Sequence, residues 1–581
     1  MENLITEHIN IWTTAHIKKN GVGRGNGSAN QSLYGIKKLR ELILELAVRG
    51  KLVPQDPNDE PASVLLEKIA KEKARLIKEG KIKKQEPLPN IAEEEKSIKL
   101  PEGWEHIRLG NAMNMVNGRA FKPTEWGSSG LRIIRIQNLN DPSAPYNYCD
   151  FDVDSKILIN DGDFLISWSG TPGTSFGAFI WDRGQAILNQ HIFNCELYGD
   201  GFFTPYLRLA INAELDEMIS QAHGAVGLQH ITKGKLENLL ITLPPLLEQK
   251  RIVAKVDELM ALCDQLEQQQ TDSNALHQTL VETLLATLTT AANAAEFSEA
   301  WQRIADHFDT LFTNEQSIDQ LKQTILQLAV MGKLVPQDPN DEPASVLLEK
   351  IEKEKACLIK EGKIKKQETL PEICGDEKPF KVPVSWLWAR IGTLMDPERE
   401  ISYGIIKLEK EPLDGGIPTL RCSDVKSRYI DLSFVRNVSP EIEEPYRRTR
   451  LRGGEVLINI RGTLGGVALV PPDIAGYNIA REVAMLPIAK DINGQYAVTL
   501  IASPFFWQII QENIRGMAYK GLNLKILREL AFPLPPKSEQ QRIVTKVHEM
   551  MVLCDTLKAR VKEAQTTQIQ LADAIVKQAV S

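Results

Sequence analysis

Twenty consecutive residues, GKLVPQDPNDEPASVLLEKI, occur at Gly50–Ile69 and again, letter for letter, at Gly332–Ile351. The identity runs further: Leu46–Glu86 aligns without gaps to Leu328–Glu368, and only three of 41 positions differ (Arg49/Met331, Ala70/Glu352, Arg75/Cys357). A period of 282 residues is far too long for a solenoid or propeller, so it reads as duplication of a half-molecule.

A second pair of blocks extends the duplication. LPPLLEQKRIVAKVDELMALCDQLE (Leu243–Glu267) matches LPPKSEQQRIVTKVHEMMVLCDTLK (Leu534–Lys558) at 16 of 25 positions, now at an offset of 291. Between the matched blocks lie two divergent segments, about Leu100–Thr242 and Phe380–Pro533. LADAIVKQAV (Leu571–Val580) resembles LKQTILQLAV (Leu321–Val330) and LRELILELAV (Leu39–Val48), as expected of a circularly closed, pseudo-two-fold object cut open. ITEHINIWT (Ile5–Thr13) resembles IADHFDTLF (Ile304–Phe312) at an offset of 299, which leaves a 17-residue insertion containing GVGRGNGSAN. That run lacks G-x-G-x-x-G spacing, a preceding strand and G-K-[ST], so it reads as a flexible linker.

The constant blocks carry helical periodicity. Ile252, Val256, Leu259, Cys263 and Leu266 follow a 4-3-4-3 spacing, and Ile543, Val547, Met550, Cys554 and Leu557 repeat it. This is the a/d seam of a coiled coil. A helix of ~45 residues spans roughly 67 Å, and two such helices are expected to pack against each other within the chain. Cys263 and Cys554 read as small apolar knobs of that seam. The repeated stretch itself reads as a joint between helices. One helix ends at Gly50, VPQDPNDEP interrupts it with prolines, and a second starts near Pro61 and closes at Gly80. A polar loop repeated nearly verbatim suggests one surface presented twice, to two copies of one partner.

Each divergent segment opens on a tryptophan motif, LPEGWEHIRLG (Leu100–Gly110) or VPVSWLWARIG (Val382–Gly392). Each continues with short β-rich runs broken by glycine, such as FLISW and VLINI, and then a helical stretch (TPYLRLAINAELDEMIS; SPFFWQIIQENI). Both read as α/β domains of roughly 150 residues. Arg135 pairs with Arg421, Gly170-Thr171 with Gly462-Thr463, and Asn189 with Asn478.

The net charge of −7 argues mildly against nucleic acid as a partner. The segments differ in charge: Leu100–Thr242 has 10 basic and 16 acidic residues, Phe380–Pro536 has 20 and 17. Arg and Asn on glycine-rich loops can read base edges by bidentate hydrogen bonds. The candidate DNA-contacting residues are Arg135, Asn138, Thr171, Asn189, His191, Lys233 and Lys235 in the first segment. In the second they are Arg421, Arg461, Thr463, Arg481, Arg515 and Lys520. Catalytic motifs are absent: there is no N/D-P-P-Y/F tetrad, no F-x-G-x-G loop, no Walker A, no H-E-x-x-H and no G-x-S-x-G. Nine dispersed histidines and seven scattered cysteines without a C-x-x-C indicate neither a metal site nor a disulfide framework, and fit a reducing cytoplasm. No 18-residue apolar run or N-terminal secretory pattern is seen, so no membrane association is expected.

The GKLVPQDPNDEPAS signature, the LPPLxEQxRIV-type exits, the G-T turn after an L-I strand and the constant–variable duplication together resemble the specificity subunit of a type I restriction–modification enzyme, most like the type IB family. The resemblance implies an α+β fold: two α/β target recognition domains separated by two long antiparallel, coiled-coil-like helices, with a pseudo-two-fold internal repeat. The expected divisions are an N-terminal region with the first constant block (1–99), recognition domain 1 (100–243), a central constant region (244–379), recognition domain 2 (380–535) and a C-terminal long helix (536–581). Each recognition domain would read one half of an asymmetric bipartite site in double-stranded DNA, and the helices would set the spacer. Two methyltransferase subunits would dock on the constant regions, and restriction/translocase subunits would join through that core. S-adenosylmethionine, ATP and Mg are expected on those partners, with no cofactor or metal on this chain and no catalysis by it alone. The competing reading is a two-headed protein-binding scaffold without DNA readout. A self-contained methyltransferase is disfavoured by the missing tetrad.

Overall fold

The structure is a computed structural model that describes residues 1–18, 31–96, 99–169, 176–221, 231–366, 369–514 and 522–580. The chain divides into two compact units. One comprises Met1–Asp272 with Gln565–Ser581, the other Ser273–Ala564. The fold is α+β, and each unit combines helices with small, largely antiparallel sheets.

In the first unit the helix Tyr34–Val48 buries Ile36, Leu39, Leu42, Ile43 and Leu46 along one face. It stops at Gly50, whose φ of +68° is left-handed. A Cβ there would lie 2.4 Å from Pro101 Cγ, so both conformation and space demand glycine. Pro61 caps the helix Ala62–Lys78. Gly332 and Pro343 repeat both features in the second unit, at the end of Glu315–Val330 and the start of Ala344–Lys360.

Each variable segment is closed by a two-stranded antiparallel ladder joining its entry and exit. Glu105–Arg108 pairs with Leu240–Leu243, and Leu387–Arg390 pairs with Ala531–Leu534. Inside the first segment, Met113–Asn117, Ile192–Leu197, Phe164–Ser167 and Gly177–Ile180 form an antiparallel sheet in that order. A second sheet is ordered Asn147–Cys149, Leu131–Ile134, Ala186–Leu188, Leu158–Ile159, with its middle pair parallel. The second segment repeats the plan: Ser402–Tyr403, Val483–Leu486, Val456–Asn459, Val467–Leu469, and then Arg436–Val438, Ile417–Leu420, Asn478–Ile479 with a parallel pair. FLIS and VLIN, within the runs FLISW and VLINI, are fully buried strands, as their composition predicts. IQNLN, which follows the strand Leu131–Ile134, is a helical turn, Ile136–Asn140.

The two long helices are Leu246–Thr290 and Lys537–Val580, of 45 and 44 residues. Their predicted seams are buried: Ile252, Val256, Leu259 and Cys263 in one, Ile543, Val547 and Cys554 in the other. Leu266, Met550 and Leu557 are partly buried, while Met551, outside the predicted set, is buried more deeply. In the first unit the seam shares a core with Tyr34–Val48, and Arg40 bridges across to Asp264 and Glu267 at 2.6 and 2.7 Å. In the second it shares a core with Glu315–Val330, and Lys558 reaches Asp319 at 2.7 Å. The helix of the repeated block is therefore the seam's neighbour in each unit. Ala572, Ile575 and Val576 complete the first core, and Val281, Leu285 and Leu288 the second. Burial pushes the Cys263 thiol up to about 11, consistent with an inert apolar knob.

Candidate nucleic-acid interface

The repeated blocks mount the variable domains through one buried network used twice. Trp104 of the first tryptophan motif donates its indole N–H to Glu248 Oε2 at 3.0 Å. Gln55, from the proline-broken loop, donates to Glu248 Oε1 at 3.1 Å and to Gly50 O at 2.8 Å. Trp386, Glu539 and Gln337 repeat this at 2.9 and 2.6 Å. Arg251 Nη2 meets Asp59 at 2.6 Å, and Arg542 meets Asp341 at 2.6 Å. Gln249 and Gln540 are fully buried, each donating to the carbonyl of a Pro-Pro pair at 3.0 Å. The E-Q dipeptide of the LPPxxEQ motif is thus a socket at the first turn of each long helix. Burial pushes the Glu248 and Glu539 carboxyls upward, against the indole and amide donors that favour the charged form. In the polar loop read as a twin docking surface, Asp59 and Asp341 are turned in against Arg251 and Arg542, and Gln55 and Gln337 each donate to a buried glutamate at the start of a long helix. Gln55 and Gln337 stay exposed beside Pro57, Glu60, Asp338 and Glu342.

The loops at one end of each variable domain are stitched by backbone hydrogen bonds in one register. Asn189 N–H donates to Ile134 O at 3.0 Å, Arg119 N–H to Leu188 O at 3.0 Å, and Trp168 N–H to His191 O at 3.2 Å. In the second domain Ala480 N–H donates to Leu420 O at 2.8 Å, Ile405 N–H to Ile479 O at 2.8 Å, and Ile460 N–H to Glu482 O at 2.8 Å. A side chain at Gly118 or Gly404 would strike the facing carbonyl, at 2.2 or 1.7 Å, so glycine admits this close approach in both. The register pairs Arg135 with Arg421 as the sequence suggests. It pairs Asn189 with Ala480 and not with Asn478, which lies two residues earlier in the parallel strand. Asn478 is fully buried between Thr449 and Glu443, at 2.7 Å to each.

Within this frame the predicted residues separate. Asn138 is fully buried; its Oδ1 accepts from Arg135 N–H at 3.1 Å and its amide donates to Ala144 O and Pro145 O. Its hydrogen-bonding groups are committed to the turn, so it shapes the loop and does not present itself to a base. Asp424 does the same for Arg421 N–H at 2.8 Å. Arg421 itself is held by Asp424 and by Phe434 O at 2.8 Å. Its pKa is raised first by the Asp424 hydrogen bond and further by the Glu482 charge. Lys233 Nζ donates to Met115 O at 2.8 Å, and Asn189 is buried. His191 packs against Trp168 in a tilted arrangement, ring centroids 5.0 Å apart. Arg135 lies 5.6 Å over the half-exposed Trp126 ring. Lys235, Arg461, Thr463 and Arg481 are exposed, with no ion pair among the described residues. Thr171, Arg515, Lys520 and the GVGRGNGSAN insertion lie outside the described residues.

Sequence reasoning missed two groups. Arg119 sits 5.0 Å from both the Phe121 and Phe151 rings and pairs with Glu125, lining an open cleft with Trp126 and Asp150. Its signal was present in the glycine before it, but the ring partners are not adjacent in sequence. Glu248 and Glu539 were also missed, although they are the invariant acids of the LPPxxEQ repeat.

A family model described as the type I restriction modification DNA specificity domain matches residues 101–273 and 404–564. These stretches span more than half of the chain and carry both stitched frames, so the chain belongs to this family: it is a specificity subunit of a type I restriction–modification system, with two DNA recognition domains. Over its whole length it is 39% identical to the type I restriction enzyme EcoAI specificity subunit and 40% identical to the EcoEI specificity subunit, both of Escherichia coli and both covered completely. The solved HsdS subunit from Thermoanaerobacter tengcongensis aligns at 18% identity and a TM-score of 0.40, over 83% of this chain and 98% of that one. No helix among the described residues is long and apolar enough to cross a membrane.

Proposed function

We propose that each recognition domain reads one half of an asymmetric bipartite site in double-stranded DNA, and that the two long helices set the gap between the halves. The observation that supports this is the pairing of identical mounts with unlike heads. Trp104–Glu248 and Trp386–Glu539 are the same socket, yet equivalent loop positions carry Gln190 and Arg481, or Ser169 and Arg461. A chain that needed only two docking points would have no use for one backbone frame bearing two chemistries. The gap would correspond to about one turn of DNA, ~34 Å. Two methyltransferase subunits dock on the constant regions and bring S-adenosylmethionine; ATP-driven restriction subunits requiring Mg join that core. This chain contributes recognition and no catalysis. Its acidic balance is compatible with that division of labour, since the partners can supply many of the phosphate contacts that dominate affinity.

The test is to map methylated adenines in DNA from a host carrying the chain with its partner subunits. A single two-part motif is expected, and exchanging residues 100–243 for another chain's segment should change one half only. Methylation without a defined motif, or a change in both halves, would overturn the reading.

A further inference from the structure

We infer that Arg461 and Arg481 form a guanine-reading pair in the second recognition domain, an assignment that rests on the recognition reading above. Their backbones are fixed and their side chains are exposed. Arg481 N–H donates to Ile405 O at 2.9 Å, and Arg461 N–H donates to Glu482 O at 3.3 Å. One residue, Glu482, therefore stitches the two arginine-bearing loops side by side. Several other arginines of the domain are engaged: Arg390 with Glu377, Arg399 with Glu455, Arg421 with Asp424, Arg450 with Glu443. Arg461 and Arg481 have no ion pair among the described residues, and the field of Glu482 falls on Arg421.

A guanidinium on an immobilised Cα, with its donors unengaged, suits the bidentate contact to guanine O6 and N7, the commonest specific contact in the major groove. The fork cannot make the same contact to adenine, whose N6 is a donor. The first domain carries Ser169 and Gln190 at these two frame positions. Its carbonyl partner is His191, with Trp168 N–H donating at 3.2 Å. The two half-sites are thus read by different chemistry from one frame, and guanine dependence at these positions belongs to the second half alone. A phosphate contact by the same arginines would weaken all DNA sequences uniformly and carry no base preference.

The experiment uses the full chain assembled with its partner subunits and duplexes carrying the mapped site. The second half-site is the half that changes when residues 380–535 are exchanged. Each guanine there is replaced by 7-deazaguanine, which lacks the N7 acceptor. Roughly 5- to 150-fold weaker binding is expected at two positions, with none at guanines of the first half attributable to these side chains. Arg461→Ser and Arg481→Gln, which install the first domain's residues, should each abolish sensitivity to one deaza position and leave the first half-site and spacer unchanged. A second half-site without guanine, or deaza substitution without effect at every guanine, overturns the inference even if the variants fail to fold. Variants that weaken all DNA alike while keeping deaza sensitivity overturn it too. A wild-type complex that selects no defined site sinks the recognition reading itself, which separates the two failures.

Discussion

The Trp104–Glu248 contact offers a quantitative check on how the recognition domain is held. Glu248→Ala removes the acceptor of a buried indole N–H and of one Gln55 donor. A buried donor left unsatisfied costs about 1–3 kcal/mol. Gln55 retains Gly50 O at 2.8 Å, so the indole dominates. Glu248 also lies in the first turn of its helix, where a carboxylate contributes about 0.3–1 kcal/mol. Relief of carboxylate burial offsets part of this, leaving a net loss of about 2 kcal/mol, or roughly 4–8 °C for a unit of this size. Trp104→Phe keeps the ring contact with Tyr206 but removes the donor. The double-mutant cycle should therefore show a coupling of about 1–2 kcal/mol. Calorimetry would measure the shifts, and hydrogen exchange over residues 100–110 would assign the transition to the first unit. The same cycle at Trp386 and Glu539 should agree, because the geometry repeats at 2.9 Å. Coupling below about 0.5 kcal/mol at both sites would refute the claim that this socket clamps the domain.

Glu248→Gln carries a pH signature. The folded pKa is raised above the ordinary 4.5, so the stability from this group is full below 4.5 and is lost as pH rises through the folded value. The wild-type advantage over the Gln variant should shrink across that window and then level off; an advantage that grows with pH in denaturant titrations would contradict it. Ile252→Ala and Ile543→Ala, at fully buried seam positions, should each cost about 2–5 kcal/mol, while Leu276→Ala, 72% exposed, should stay within about 0.5 kcal/mol in the same unfolding assay. Gly50→Ala combines a left-handed φ with a 2.4 Å approach to Pro101; a loss of at least about 1 kcal/mol is expected, whereas Gly80→Ala, with open space around it, should lose less. Inserting one helical turn near residue 270 should change the gap between half-sites, read from methylation maps, and leave the half-site sequences intact.

Backbone punctuation was the most legible layer of the sequence. Gly50 and Pro61 end and start helices because no other residue type fits those dihedrals so cheaply, and the strands FLIS and VLIN are buried throughout. The seam periodicity was legible too, and each core holds residues of both long helices as expected, but the further helix that covers the seam was not legible. A heptad specifies an apolar stripe without naming what covers it, and the covering helix lies more than 200 residues away in each unit. Polar roles were the least legible. Gln55 and Asp59 sit in a loop whose composition reads as surface, and their partners, Glu248 and Arg251, lie some 190 positions later. Asn138 and Arg421 looked like readers because Asn and Arg can be; the Asn138 amide is spent on its own turn and the Arg421 guanidinium on Asp424 and Phe434 O. Arg461 and Arg481 share the same residue chemistry without that constraint.

The first unit contains residues up to Asp272 and again from Gln565, and its core includes Ala572 and Ile575. On a ribosome, the 292 residues of the other unit must be made before that core can close. At about 5–20 residues per second this is a wait of roughly 15–60 s. The earlier-made portion therefore stands with apolar helix faces uncovered, while the unit translated second can finish first. Vectorial synthesis thus inverts the order of completion, and chaperone dependence should concentrate on the N-terminal half.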